Sequence, residues 1–255
     1  MVATVARGAS LLVLAIGASA HADVIARSAT PLITLEHIAM PSETRRTTFV
    51  LYDDGLVIYN TQKRYDEFGA GYAAVRLSDA ETGALRDDVV ESASFRALAA
   101  SYDAYPPGTF DGLWQQLCVF GREKKCVGIR GSFYKADKYN NRANAPKAFL
   151  DAYDRVMPFS NARGKPWLPS EILLRAYPEK RGAPKPWPSK WARPLTPEPP
   201  RGPGDVETFN FTLPGTELRA VQVFLDDHKP VMIDGNRYYV SVRFQLPGQA
   251  GWAAK

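Results

Sequence analysis

Residues 49–59 read Phe-Val-Leu-Tyr-Asp-Asp-Gly-Leu-Val-Ile-Tyr (FVLYDDGLVIY). Two runs of β-branched and aromatic residues, 47–52 and 56–59, flank Asp53-Asp54-Gly55. Such runs favour a pleated, half-buried surface, and Asp-Gly supplies the backbone freedom that a tight reversal needs. The stretch therefore reads as a β-hairpin. Asp53-Asp54-Gly55 could also be taken for a calcium-loop fragment, but the spaced acidic ladder that calcium requires is missing.

Working outward, residues 32–39 (LITLEHIA) read as a preceding strand and 72–77 as a following one. Ser78-Asp79-Ala80-Glu81 has the form of a capping box, in which the serine oxygen and Glu81 satisfy each other's backbone N–H groups. A helix to about residue 90 follows, and a second short one covers 94–100. Residues 115–120 (QQLCVF) and 126–130 (CVGIR) flank a polar Gly121-Arg122-Glu123 turn. Pairing about that turn sets Cys118 opposite Cys126, close enough for a disulfide. The alternative is two buried free thiols. Residues 145–157 form a helix that Pro146 opens and Pro158 stops. Its apolar stripe is Phe149, Leu150, Tyr153, Val156 and Met157.

The character changes at residue 164. Eleven of the 20 prolines fall between 164 and 204, together with Trp167, Trp187 and Trp191. Residues 171–177 (EILLRAY) are a strand candidate within this stretch. Residues 178–203 cannot hold a regular helix or a central strand, because proline lacks a donor and restricts its predecessor. The last 50 residues read β-α-β-β. They comprise a strand at 208–213, a helix capped by Thr216 with Leu218, Val221, Phe224 and Leu225 on one stripe, and a hairpin around Asp234-Gly235-Asn236. The final strand alternates Tyr238, Val240, Val242, Phe244 and Leu246 with polar residues, so one face is expected to be polar. The fold class is α+β: an N-terminal domain (23–160) with an antiparallel or mixed sheet and helices on one side, a Pro/Trp-rich basic connector (161–204), and a small C-terminal β-α-β-β unit (205–255). The small unit is expected to dock on the first domain or extend its sheet.

The first 22 residues address the chain. Arg7 supplies a positive charge, residues 11–16 (LLVLAI) a short apolar core, and Ala20-His21-Ala22 an A-x-A cleavage site. This is the pattern of a signal peptide, too short to span a bilayer. The mature chain of 233 residues begins at Asp23 and is expected to be soluble and exported, to the periplasm or beyond. Two cysteines in an exported chain fit one disulfide bond. The 45% hydrophobic and 11% aromatic content argues for a folded protein. The formal charge of +5 is mild, and with export it argues against nucleic acid as a partner. No stretch of the mature chain suggests a transmembrane anchor.

Several of these pieces occur together in a recognisable order: F-x-L-Y-x-D-G-x-V-x-Y at 49–59, L-S-x-x-E at 77–81, W-L-P and W-P at Trp167 and Trp187, and I-D-G-x-x-Y-x-V-S-x-R-F at 233–244. In this they resemble a family of uncharacterised exported bacterial proteins, a domain of unknown function. The resemblance implies export and the order of elements. It brings no activity, cofactor or catalytic residue to this sequence.

Histidine usage restricts the chemistry, since only His37 and His228 remain after cleavage. His37 reads as an ordinary surface or hydrogen-bonded residue. Asp226-Asp227-His228 could hold a cation or serve hydrolysis, but no second ligand cluster stands at a recognisable spacing. No G-x-S-x-G or phosphate-binding glycine fingerprint focuses a search for a nucleophile or a nucleotide. No catalytic residue, cofactor or metal site is assigned. The least ordinary region is the connector, with seven basic residues between Arg175 and Gly204 against Glu179 and Glu198. There Lys185, Lys190 and Arg193 with Trp187 and Trp191 could bind an anionic or carbohydrate envelope component, or another exported protein, by charge and stacking. Alternatively, the tryptophans wedge the connector onto the domain. The expected function is a non-catalytic binding or envelope-associated module. An envelope-acting enzyme, most plausibly a hydrolase, is the alternative. N-terminal sequencing of the exported protein is expected to start at Asp23, and recovery of the intact chain in the cytoplasm would refute export.

Overall fold

The computed structural model describes residues 30–40, 44–61, 71–109, 112–135, 137–138, 140–198, 207–227 and 229–249. The expected signal peptide (1–22) and His228 lie outside these residues. The fold is α+β, built on two sheets. The first holds β1 (Pro31–Met40), β2 (Thr44–Tyr52), β3 (Leu56–Asn60), β4 (Tyr72–Arg76), β5 (Ser101–Asp103), β6 (Gly112–Phe120), β7 (Lys124–Arg130) and β8 (Lys165–Trp167), in the order β5-β7-β6-β1-β2-β3-β4-β8. The second holds β9 (Glu171–Pro178), β10 (Lys185–Pro186), β11 (Thr196–Glu198), β12 (Thr208–Pro214), β13 (Val231–Ile233) and β14 (Asn236–Phe244), in the order β10-β13-β14-β9-β12-β11.

The hairpin at 49–59 forms with the expected turn. Gly55 takes φ +78°, and Asp54 closes the loop by accepting the Leu56 N–H at 3.1 Å and pairing with Arg76 at 2.9 Å. Asp54 is thus spent on the turn and on β4. A side chain at Gly55 would also meet the Leu77 carbonyl at 2.8 Å. The capping box is present: Ser78 Oγ accepts the Glu81 N–H, and Glu81 accepts the Ser78 N–H at 2.8 Å. It starts α1 (Asp79–Leu85), which runs on into a π-turn over Arg86–Val90. Two further helices, α2 (Ala93–Arg96) and α3 (Lys147–Val156), lie with this turn on one face of the first sheet. Val89, Val90, Phe95, Phe149, Tyr153 and Val156 close the core there.

The opposite face of the same sheet is also apolar. Val50, Tyr52, Leu56, Ile58, Tyr72 and Ala74 form a second cluster, covered by Leu246 with Trp167 and Phe244. Tyr72 meets Phe244 edge-on at 4.9 Å, and Tyr52 OH donates to Pro247 O at 2.9 Å. The C-terminal unit thus docks on the first sheet. Burying Leu246 there is worth about 2–3 kcal/mol.

The division between the sheets falls near residue 170, and the expected connector over 161–204 is distributed between them. β8 joins the first sheet. β9, the 171–177 candidate, becomes an interior strand of the second, inserted between β12 and β14. The proline-rich remainder supplies that sheet's two edges. The physical reason is positional. Proline can sit in a ladder only where its missing N–H would face away from a partner. Pro166, Pro186 and Pro197 all lie in edge strands. Such edges also resist pairing with another chain.

Thr216 does not cap the last helix. A 3₁₀ turn over Gly215–Glu217 leads directly into α4 (Leu218–Leu225), with no side-chain cap bond. Gly215 packs against the chain just before β9, where a Cβ would stand 1.7 Å from Pro169 O. The final hairpin turns on two residues, Asp234 (φ 49°) and Gly235 (φ 78°), with Ile233 opposite Asn236. A two-residue turn with both φ values positive matches the strand twist.

Cys118 pairs with Cys126 across β6 and β7 and lies at disulfide distance, with S–S 2.09 Å and Cα–Cα 4.1 Å. The closed loop is short, so the chain-entropy gain should be on the order of 2–3 kcal/mol. Cys118→Ala/Cys126→Ala is expected to lose about that much in urea unfolding. Two freely alkylated thiols in the native protein would refute the bond.

Candidate functional site

Four of the five residues singled out in the connector, Lys185, Trp187, Lys190 and Trp191, come together beside Phe224 of α4, with the two indole rings 5.4 Å apart. Lys185 lies against α4, where its ammonium meets Phe224 O and Asp227 and stands 4.1 Å from the Phe224 ring centroid. Its hydrogen bond holds the Asp227 carboxyl below the usual range. Lys190 pairs with Glu217 at 3.3 Å. Trp191 is only 3% exposed, and its indole N–H donates to Glu217 at 2.7 Å. That bond, followed by the one from Lys190, lowers the Glu217 pKa. Trp187 is half-buried, edge-on to Phe211 and Phe224 at 5.6 and 5.5 Å. The two rings are core anchors of the second sheet, and the Lys190 ammonium stands 4.7 Å from the Trp191 ring centroid. Lys190 and Arg193 stay exposed, and Arg193 lies on the wall of a cleft.

That cleft has a volume of about 660 Å³ and lies at the β11–β12 margin of the second sheet. Its walls include Glu171 and Leu173 of β9, Asn210 and Thr212 of β12, Thr196 of β11 and Arg193. Register explains why these residues meet. Asn210 is opposite both Thr196 and Arg175, and Thr212 is opposite Leu173, so alternate residues of three strands share one face. The other face carries Ile172, Leu174, Ala176, Phe211 and Leu213, packed under α4 and Trp191.

Behind the cleft stands a half-buried polar network. The Arg175 guanidinium, 12% exposed, pairs with Glu198 at 3.0 Å and donates to Thr208 Oγ1 at 3.0 and 3.1 Å. Asn210 Nδ2 donates to the same Glu198 oxygen at 3.0 Å. The Asn210 Oδ1 is buried with no hydrogen-bond partner among the described residues. On β14, Ser241 is opposite Arg175, and Arg243 donates to Tyr177 OH at 3.4 Å. The sequence reading had Arg175 and Glu198 only as part of a charge tally and passed over Asn210, Thr208 and Thr212. The period-2 polar positions of the strands were visible. The pairing that assembles them was not.

Of the two roles expected for His37 the structure shows the hydrogen-bonded one: it is buried, at 3% exposure, and bonded to Gln115. Burial, reinforced by the Arg46 charge and opposed by a Gln115 hydrogen bond, lowers its pKa to about 3. It lines neither this cleft nor the smaller cavity described below. Of Asp226-Asp227-His228, the expected cation-site candidate, His228 lies outside the described residues. Among those residues no group of three or more His, Cys, Asp or Glu side chains could hold a metal ion. No helix among the described residues is long and apolar enough to cross a membrane.

Comparison with protein-family models, with curated proteins and with solved structures finds no match to this chain.

The His37 shift has a defined consequence for stability. Its folded pKa lies below the unfolded value, so between pH 6.5 and about 3 the unfolded chain binds the extra proton. The His37 contribution is complete above pH 6.5 and declines as pH falls. By pH 5 it is smaller by about 2 kcal/mol. Urea midpoints of the parent at pH 7 and pH 5 should therefore differ more than those of His37→Asn. Equal pH differences in the two proteins would show that His37 is not held neutral by burial.

Proposed function

We propose that the protein is an exported, non-catalytic binding module that takes a hydroxyl-rich envelope carbohydrate into the cleft of the second sheet. The observation that carries this reading is Asn210. Its amide stands on the cleft wall with one end committed to Glu198 and the carbonyl end without a partner among the described residues. Sugar hydroxyls both donate and accept, and amide and hydroxyl groups offer both roles at fixed positions. Thr196 and Thr212 add hydroxyls, while Leu173, Pro194 and Pro214 supply apolar surface for the C–H face of a ring. A concave site with a few convergent polar groups is the usual form of a small-ligand pocket. The Arg175–Glu198 pair holds the wall in place, so little is lost to ordering when a ligand arrives.

The reading is tested by co-sedimentation of the purified protein with isolated envelope polysaccharide across a salt series. Binding should depend little on salt, because the contacts are hydrogen bonds between neutral groups. Asn210→Ala and Thr212→Ala should each weaken it about 3- to 10-fold, the range for one lost neutral hydrogen bond. Joint neutralisation of Lys185 and Lys190, which do not line the cleft, should leave it nearly unchanged. Steeply salt-dependent binding that the double variant abolishes would instead place recognition on the basic residues and overturn the cleft.

A further inference from the structure

A second cavity, of about 320 Å³, opens between the 133–135 loop and the C-terminal end of α3. Its walls are Phe133, Tyr134, Tyr153 and Met157, with Lys135 and Asp154 at the mouth. The walls are fixed by packing. Phe133 and Tyr153 are 0% and 2% exposed and meet edge-on at 6.0 Å, and Tyr153 stacks on Phe149 at 5.9 Å. The Tyr153 hydroxyl is buried and has no hydrogen-bond partner among the described residues. A buried hydroxyl without a partner costs free energy, and a ligand atom that reaches it recovers that cost.

The mouth is electropositive. Asp154 is the one carboxylate in a cluster with two cations. Arg142 grips it bidentately at 3.0 and 2.7 Å, and Lys135 reaches it at 2.9 Å. Burial pushes the Asp154 pKa up, but the Arg142 and Lys135 hydrogen bonds outweigh it and hold the carboxyl below the usual range. One positive charge in the cluster is therefore left over. The Lys135 ammonium spends one of its three donors on Asp154 and is 70% exposed.

We propose that this cavity binds a small planar carboxylate, with its ring between Phe133, Tyr134 and Met157 and its acid group shared between Lys135 and the Tyr153 hydroxyl. The aromatic walls select a flat apolar body, and the surplus cation selects an anionic end. Arg142, tied to Asp154 and to the Phe133 carbonyl at 3.0 Å, positions the mouth. It keeps Asp154 from repelling the ligand by holding its charge paired. The site is separate from the cleft of the second sheet and does not depend on the function proposed for it.

The test is a ¹⁵N-resolved titration of the full mature protein with benzoate, indole-3-carboxylate and the neutral benzamide. The two carboxylates should give saturable shifts at the amides of Tyr134, Lys135 and Asp154, with benzamide at least tenfold weaker. Lys135→Gln, at an exposed position, should reduce carboxylate affinity to the benzamide level and leave benzamide unchanged. Lys147→Gln, whose native partner is Asp151 on the outer side of the same helix, should bind as the parent does. Tyr153→Phe keeps the ring and should weaken all three probes at least threefold. The proposal is overturned if no probe gives saturable shifts at these amides, or if carboxylate and amide bind alike. It is equally overturned if Lys135→Gln or Tyr153→Phe retains the parent's affinity.

Discussion

Strand Leu56–Asn60 has five consecutive buried residues, so the sheet around it must be kept from water on both faces. A half-buried antiparallel sheet needs only one cover. Here the helical face is closed by the π-turn, α2 and α3, and the opposite face by Trp167, Phe244 and Leu246. The second of these covers comes from the far end of the chain. Leu246 is 4% exposed and contributes its burial to a cluster otherwise built from β2, β3 and β4. The second sheet is thereby attached to the first by core packing rather than by a tether.

That attachment leaves the second sheet with two unlike faces. One carries the aliphatic residues of β9 and β12 under α4, with Trp187 and Trp191 filling the margin. The other holds Arg175, Glu198, Thr208 and Asn210 in a hydrogen-bonded row. Burying a charge is costly unless it is paired, and the Arg175–Glu198 bond meets that condition. The prolines complete the arrangement. They limit β10 and β11 to two and three residues at the sheet's edges. The short β11 leaves the end of β12 without a strand partner on that side among the described residues, and the cleft lies beside that end.

The hairpin at 49–59, the capping box at Ser78 and the alternation of β14 were all legible in the sequence, because each depends on residues close along the chain. The cysteine register was legible for the same reason, with only a short turn between the two strands. The role of the tryptophans was not. Trp191 beside Lys190 looks like a binding strip in one dimension, yet its N–H is bound to Glu217, 26 residues on. Likewise His37, next to Glu36 in a strand that could have faced water, is buried and held neutral well below its ordinary pKa.

The sequence by itself determined the kinds of element, most of their limits and the α+β class. Turn chemistry, capping and hydrophobic period act over a few residues and need no distant partner. Only the tertiary structure decided that β9 inserts between β12 and β14, that the proline-rich stretch forms edges, and that Arg175, Glu198 and Asn210 share one face. Strand order and register are set by which apolar faces find cover and which edges can accept a proline. Those conditions bring together residues tens of positions apart, and no local pattern encodes the pairing.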